Sequence, residues 1–148
     1  MGDESYSIIT MSITPFRADG SVDGDALRAH LRRLVAAGIS VYMGSPGSGE
    51  GGVLSIKETR RVYEIGVEVC KGKVPLYANP REPRSAAELL ELSHEAIAAG
   101  IDTVQLYQMV NGHGMVPNQA EQELYWKTVL DDLQHPVCIS IHFACGYM

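Results

Sequence analysis

The sequence has little of what would tie it to a membrane, an oxidising compartment or a nucleic acid. No apolar run approaches the roughly 20 residues that span a bilayer, so no membrane is expected as a partner. The N-terminal MGDESYS is acidic and polar and lacks the basic and apolar regions of a secretory signal. Cysteine is scarce: Cys70, Cys138 and Cys145 are an odd set without C-x-x-C spacing. Reduced thiols in a cytoplasmic protein fit that pattern. The 12 Lys and Arg are outweighed by 18 Asp and Glu, the net charge is −6, and the basic residues form no block. Nucleic acid is thereby excluded as an expected partner. The five histidines, His30, His94, His113, His135 and His142, show no metal-ligand spacing. Neither G-x-G-x-x-G running into a helix nor G-x-x-x-x-G-K-[ST] is present, so no nucleotide, and no other cofactor, is expected.

What is present is an ordinary globular composition, 45% hydrophobic and 20% charged over 148 residues, enough for one domain with a core. Ser7–Ile13 reads as a strand, and Asp19-Gly20 as a turn. Asp23 or Asp25 caps a helix with Leu27, Leu31, Leu34 and Val35 at the helical period, ended by Gly38. Ile39–Met43 is a second strand. A helix from about Ile56 follows, with Val62, Ile65, Gly66 and Val69 on one face, and stops at Gly72. Val74–Ala78 is a third strand. Ser85 and Glu88 have capping-box spacing and open a helix with Leu89, Leu92, Ala96 and Ile97 inward, ended by Gly100. Thr103–Tyr107 is a fourth strand. Asn118 with Glu121 caps a helix whose core face is expected to be Leu124, Thr128, Val129 and Leu133. Pro136–His142 is a fifth strand. The stop glycines recur at roughly the thirty-residue size of a βα repeat, so the order is βαβαβαβαβ with a parallel sheet. An open doubly wound sheet and part of a (β/α)₈ barrel both satisfy it.

From the end of the second strand to the second helix runs VYMGSPGSGEGGVLS, with Gly44, Gly47, Gly49, Gly51 and Gly52. Glycines let backbone N–H groups crowd into a concavity that holds anions at a helix entrance. A flexible connection is the plainer reading of the same residues. Ser55 and Glu58 have capping-box spacing where the loop meets its helix.

The stretch ITPFRADGSVDGDALRAHLRRLVAAG, Ile13–Gly38, resembles the opening of the dihydrodipicolinate synthase / N-acetylneuraminate lyase family. Counted on without a gap, Gly49-Glu50 and Leu54-Ser55 fall on that family's GTTGE…LS. Ala99-Gly100-Ile101-Asp102 falls on its AGAD, and His135-Pro136-Val137 on its LPV. The resemblance covers the chain from about Ile8. It implies a (β/α)₈ barrel of which residues 1–148 are the N-terminal part of one domain, about five strands and four helices. It also implies an enzyme, a carbon–carbon or carbon–oxygen lyase acting on a 2-oxo acid such as pyruvate through a Schiff base on a sixth-strand lysine, and a homodimer or homotetramer.

The implied roles transfer unevenly. Gly47, Ser48 and Gly49 take the place of the loop that holds the substrate carboxylate; Ser48 keeps the hydroxyl, and Gly47 drops one that often relays protons. Glu50 matches the family's acid, with a structural role bonding loop amides or a part in turnover both open. The position of the relay tyrosine falls on Ser140, a far weaker acid than a phenol. The dimer-crossing tyrosine is absent, with Tyr107 close by at the strand end. His142 and Arg81, at the rim where barrels place their sites, are further candidates for substrate contact, as solvated or wall residues are the plainer reading. Cys138 and Cys145 are expected as buried, inert thiols, and Trp126 and Tyr125 as packing or subunit contacts.

Lys57, Lys71, Lys73 and Lys127 all fall in or beside helices, so the Schiff-base lysine is expected outside this chain, which alone would be inactive. Departures at positions 47 and 140 point away from authentic dihydrodipicolinate synthase, toward a divergent aldolase, hydratase-aldolase or dehydratase. The competing reading is a non-catalytic oxo-acid-binding or structural half-barrel that oligomerises to cover its strand edges.

Overall fold

The computed structural model describes residues 8–109 and 116–140. Strands β1 (Ile9–Met11), β2 (Ser40–Met43), β3 (Leu76–Ala78), β4 (Thr103–Leu106) and β5 (Val137–Ile139) alternate with helices α1 (Gly24–Ala36), α2 (Ile56–Cys70), α3 (Ala86–Ala99) and α4 (Gln119–Asp132). All four strand pairings are parallel, and the sheet order is β1-β2-β3-β4-β5. A doubly wound sheet reverses its strand order at a switch point. This sheet never does, so its helices line up on one face, each packed on the next, as in a barrel wall.

Local chemistry sets the helix starts. Asp23, not Asp25, is the first cap, its carboxylate accepting from the amides of Asp25 and Ala26 at 3.1 and 3.0 Å. Complete capping boxes open α2 at Ser55–Glu58 and α4 at Asn118–Glu121. At α3 only half the expected box forms. The Ser85 hydroxyl accepts from the Glu88 amide, but the Glu88 carboxylate turns to Arg81 and Arg84 instead of the cap amide.

Strand register divides the sheet into two faces. Val41 pairs with Leu76, and Met43 with Ala78 and then Val104; all are fully buried against the helices. The alternate residues form the inner face, where Met11 pairs with Tyr42, Tyr42 with Tyr77, and Gln105 with Cys138. Ile9 and Met11 remain more than 40% exposed there. Cys138, expected to be buried, is exposed for the same reason: it stands on the face that these strands leave uncovered. Cys145 lies outside the described residues.

Of the core face expected for α4, Val129 and Leu133 are buried and Leu124 and Thr128 are not. Leu124 is 65% exposed and Thr128 turns its hydroxyl back to the Leu124 carbonyl, whereas Tyr125, Val129 and Leu133 are buried. Apolar residues surround this helix, so periodicity does not choose a face. The choice falls to Tyr125, whose hydroxyl finds the Tyr107 carbonyl at 2.6 Å, and Trp126 packs edge-on against its ring.

Candidate functional site

The site is built at the C-terminal ends of the strands, around the loop that leaves β2. Gly44 takes φ +74°, a turn that side chains resist, and the next residues fold back on themselves. The Ser45 carbonyl accepts from the amides of Gly49 and Gly51 at 3.1 and 2.8 Å, and the Gly47 carbonyl from Glu50 at 3.2 Å. A Cβ at Gly49 would lie 2.6 Å from the Ser45 nitrogen, and one at Gly51 only 2.0 Å from the Gly44 oxygen, so these two glycines are required by backbone contact. Gly47 is different: nothing lies within 4 Å of its missing Cβ.

The crown of the loop is Gly47-Ser48, both exposed. Their two amides and the Ser48 hydroxyl make no hydrogen bond among the described residues, while the Gly49 amide is committed to Ser45. Pro46 contributes no N–H. The crown therefore presents a neighbouring pair of free amides and a hydroxyl, a donor set suited to a carboxylate. Glu50 adopts φ +57°, and its carboxylate bonds no loop amide among the described residues.

Two braces hold this crown. The buried Thr14 hydroxyl, from the segment after β1, donates to the Gly49 carbonyl at 2.6 Å. On the other side Arg81, after β3, donates to the Glu88 carboxylate at 2.8 Å and reaches the Leu54 carbonyl at 3.5 Å. Burial alone would raise the Glu88 carboxyl, but the Arg84 amide and guanidinium and the Arg81 guanidinium overrule it and hold it at about 2. The Arg81 guanidinium thus bonds Glu88 and reaches the far end of the loop at Leu54.

Tyr107 and Ser140 stand at the ends of adjacent strands: the Ser140 amide donates to the Leu106 carbonyl at 2.9 Å, and Tyr107 is buried with its carbonyl held by Tyr125. His142 lies outside the described residues. Below this rim the inner face carries a group that spacing alone did not single out. The Tyr42 and Tyr77 rings pack with centroids 4.7 Å apart. Burial, then Cys138, Tyr77 and Tyr107, push the Tyr42 phenol up to about 12. Strict alternation within VYM and LYA was the available signal, since it sets both tyrosines on one face. Among the described residues no cluster of three or more His, Cys, Asp or Glu is arranged to hold a metal ion. No helix among them is long and apolar enough to cross a membrane.

The fold has counterparts among known proteins. The profile of the dihydrodipicolinate synthetase family matches residues 4–140. The 4-hydroxy-tetrahydrodipicolinate synthase of Phenylobacterium zucineum is 30% identical over 132 residues, 89% of this chain and 43% of its own length. The enzyme of the same description from Methanopyrus kandleri is 37% identical over 105 residues, 70% of this chain and 35% of its own. Among solved structures, YagE, a prophage protein of the dihydrodipicolinic acid synthase family from E. coli K12 in complex with pyruvate, superposes with a TM-score of 0.83 at 25% identity, covering 94% of this chain and 45% of YagE. Dihydrodipicolinate synthase from Aquifex aeolicus gives 0.80 at 25% identity, covering 90% and 44%. The chain spans less than half the length of each of these relatives.

Proposed function

The chain belongs to the dihydrodipicolinate synthetase family, and we propose that the protein carrying it is an aldolase-type lyase acting on a 2-oxo acid of the pyruvate class. The observation that carries this reading is the crown of the β2 loop, where the free amides of Gly47 and Ser48 stand beside the Ser48 hydroxyl. A carboxylate seated there is held by backbone donors fixed through Thr14 and Arg81, which leaves its neighbouring carbonyl at the mouth of the strands. The pyruvate in the YagE structure supports the choice of ligand class.

An amine that condenses with that carbonyl turns it into an imine, a better sink for the electron pair released or taken up when the adjacent bond breaks or forms. We assign the amine to a lysine outside this chain. Lys71 and Lys73 donate to the carbonyls of Gly100 and Val69, Lys127 pairs with Asp131, and Lys57 stands in the first turn of α2. None of the four belongs to a strand. With glycine at 47 and serine at 140, the reaction is that of a divergent aldolase, hydratase-aldolase or dehydratase.

The test is to incubate the protein, at its relatives' length, with pyruvate and borohydride and to weigh it intact. A mass increase of one reduced pyruvate adduct is expected. No adduct with pyruvate or any other 2-oxo acid overturns the Schiff-base assignment.

A further inference from the structure

The β2 loop accounts for the carboxylate of a 2-oxo acid and leaves the far end of the substrate without a partner. We infer that Asn79 is a substrate-binding residue of this site, its carboxamide holding a hydroxyl at C4 of the 2-oxo acid. This rests on the aldolase reading above and deepens it by naming the substrate class, a 4-hydroxy-2-oxo acid.

Asn79 follows the last residue of β3, and its amide donates to the Met43 carbonyl at 2.8 Å. That bond carries the sheet one step beyond the Met43–Ala78 pair, so Asn79 stands level with Gly44, where the site loop begins. A residue before proline is held extended, and Pro80 follows. Strand alternation therefore continues through position 79 and sets it on the inner face with Tyr77, opposite to Ala78. Barrels place their sites at this end of the strands.

The side chain is fully buried, and neither its Nδ2 nor its Oδ1 has a hydrogen-bond partner. Burying a carboxamide is unfavourable unless its donors and its acceptor are used. The polar groups that fasten the neighbouring loop are already spent: the Thr14 hydroxyl on Gly49, the Ser45 hydroxyl on Met11, and the Arg81 guanidinium on Glu88. Of the buried side chains left unpartnered among the described residues, Tyr63 and Ser93 belong to α2 and α3, and only Asn79 stands at a strand end.

A carboxamide matches an oxygen that changes character. The C4 oxygen is an alcohol in the aldol, where it donates and accepts. It is a carbonyl in the aldehyde from which that aldol is made, where it only accepts. The Asn79 NH₂ donates to both forms, and its carbonyl accepts from the alcohol. A carboxylate would accept from the alcohol but offer nothing to the carbonyl.

The experiment traps total adduct with borohydride in the protein at its relatives' length and in Asn79→Leu, titrating each with three acids. These are pyruvate, 4-hydroxy-2-oxopentanoate and 2-oxopentanoate, the last two differing only in the C4 hydroxyl. The unsubstituted protein is expected to half-saturate at about tenfold less of the hydroxy acid than of 2-oxopentanoate. Asn79→Leu, close in volume but without donor or acceptor, should lose that preference while its half-saturation by pyruvate changes less than about threefold. Asn79→Ala carries the same comparison if circular dichroism shows the leucine variant unfolded. Equal half-saturation of the unsubstituted protein by the two five-carbon acids overturns the inference, as does adduct with pyruvate alone. A variant that keeps the parent's preference, or weakens equally toward all three acids, also overturns it and leaves the 2-oxo acid reading intact. No adduct with any 2-oxo acid in the unsubstituted protein overturns both.

Discussion

The hydroxyl of Thr14 donates to the carbonyl of Gly49 at 2.6 Å, joining two segments 35 residues apart in a contact closed to solvent. It fastens the chain after β1 to the loop after β2, and so fixes the amides of Gly47 and Ser48 that precede it. Replacing Thr14 with valine keeps the shape, removes the donor and leaves the Gly49 carbonyl buried without it. A loss of about 1–2 kcal/mol of stability in urea unfolding is expected, together with weaker pyruvate binding.

The glycines of that loop should separate into two classes. Gly51→Ala places a Cβ 2.0 Å from the Gly44 oxygen, and the backbone must move. A loss of roughly 2 kcal/mol or more is expected. Gly47→Ala meets open space and should stay within about 0.5 kcal/mol of the parent. Urea midpoints at unchanged slope distinguish the two outcomes.

Acid should unfasten the other brace. The Glu88 carboxyl is held at about 2 in the folded chain against an ordinary 4.5, so the folded state binds fewer protons and gains stability above 4.5. That contribution, on the order of 2–3 kcal/mol, is lost as pH falls from about 4.5 toward 2. Unfolding free energy followed from pH 6 downward should fall more steeply for the parent than for Glu88→Gln; parallel curves would contradict the assignment.

Tyr63 is fully buried with its hydroxyl unpartnered among the described residues. An unmatched polar group is costly to bury, so Tyr63→Phe should leave thermal stability unchanged or raise it by about 1 kcal/mol. A loss of that size would reveal a partner for the hydroxyl.

The elements were legible because their ends are written in residues with one physical use. Glycines stop α1, α2 and α3, and Asp23, Ser55, Ser85 and Asn118 start the four helices. Between open sheet and barrel, alternation of elements does not decide; the unreversed strand order does. Sequence spacing failed where two claims compete for one group. Glu88 has the spacing of a capping box, yet two arginines outbid the cap amide. On α4, leucines at 124 and 130 mask the face that Tyr125 claims through one hydrogen bond to Tyr107. At the site, Gly47 and Ser48 were legible as an anion cradle, whereas their availability depends on which amides the folded loop consumes, and spacing does not encode that.

The central claim is that the Gly47 and Ser48 amides grip the carboxylate of a 2-oxo acid. Backbone amide shifts of the isotope-labelled protein, followed by NMR as pyruvate is added, test it most directly. The account predicts that the Gly47 and Ser48 amide protons move downfield together along one saturation curve, and that Ser48→Ala raises its midpoint about tenfold, the loss of one charge-assisted hydrogen bond. Amides at 47 and 48 that stay in place while pyruvate saturates the protein would contradict it.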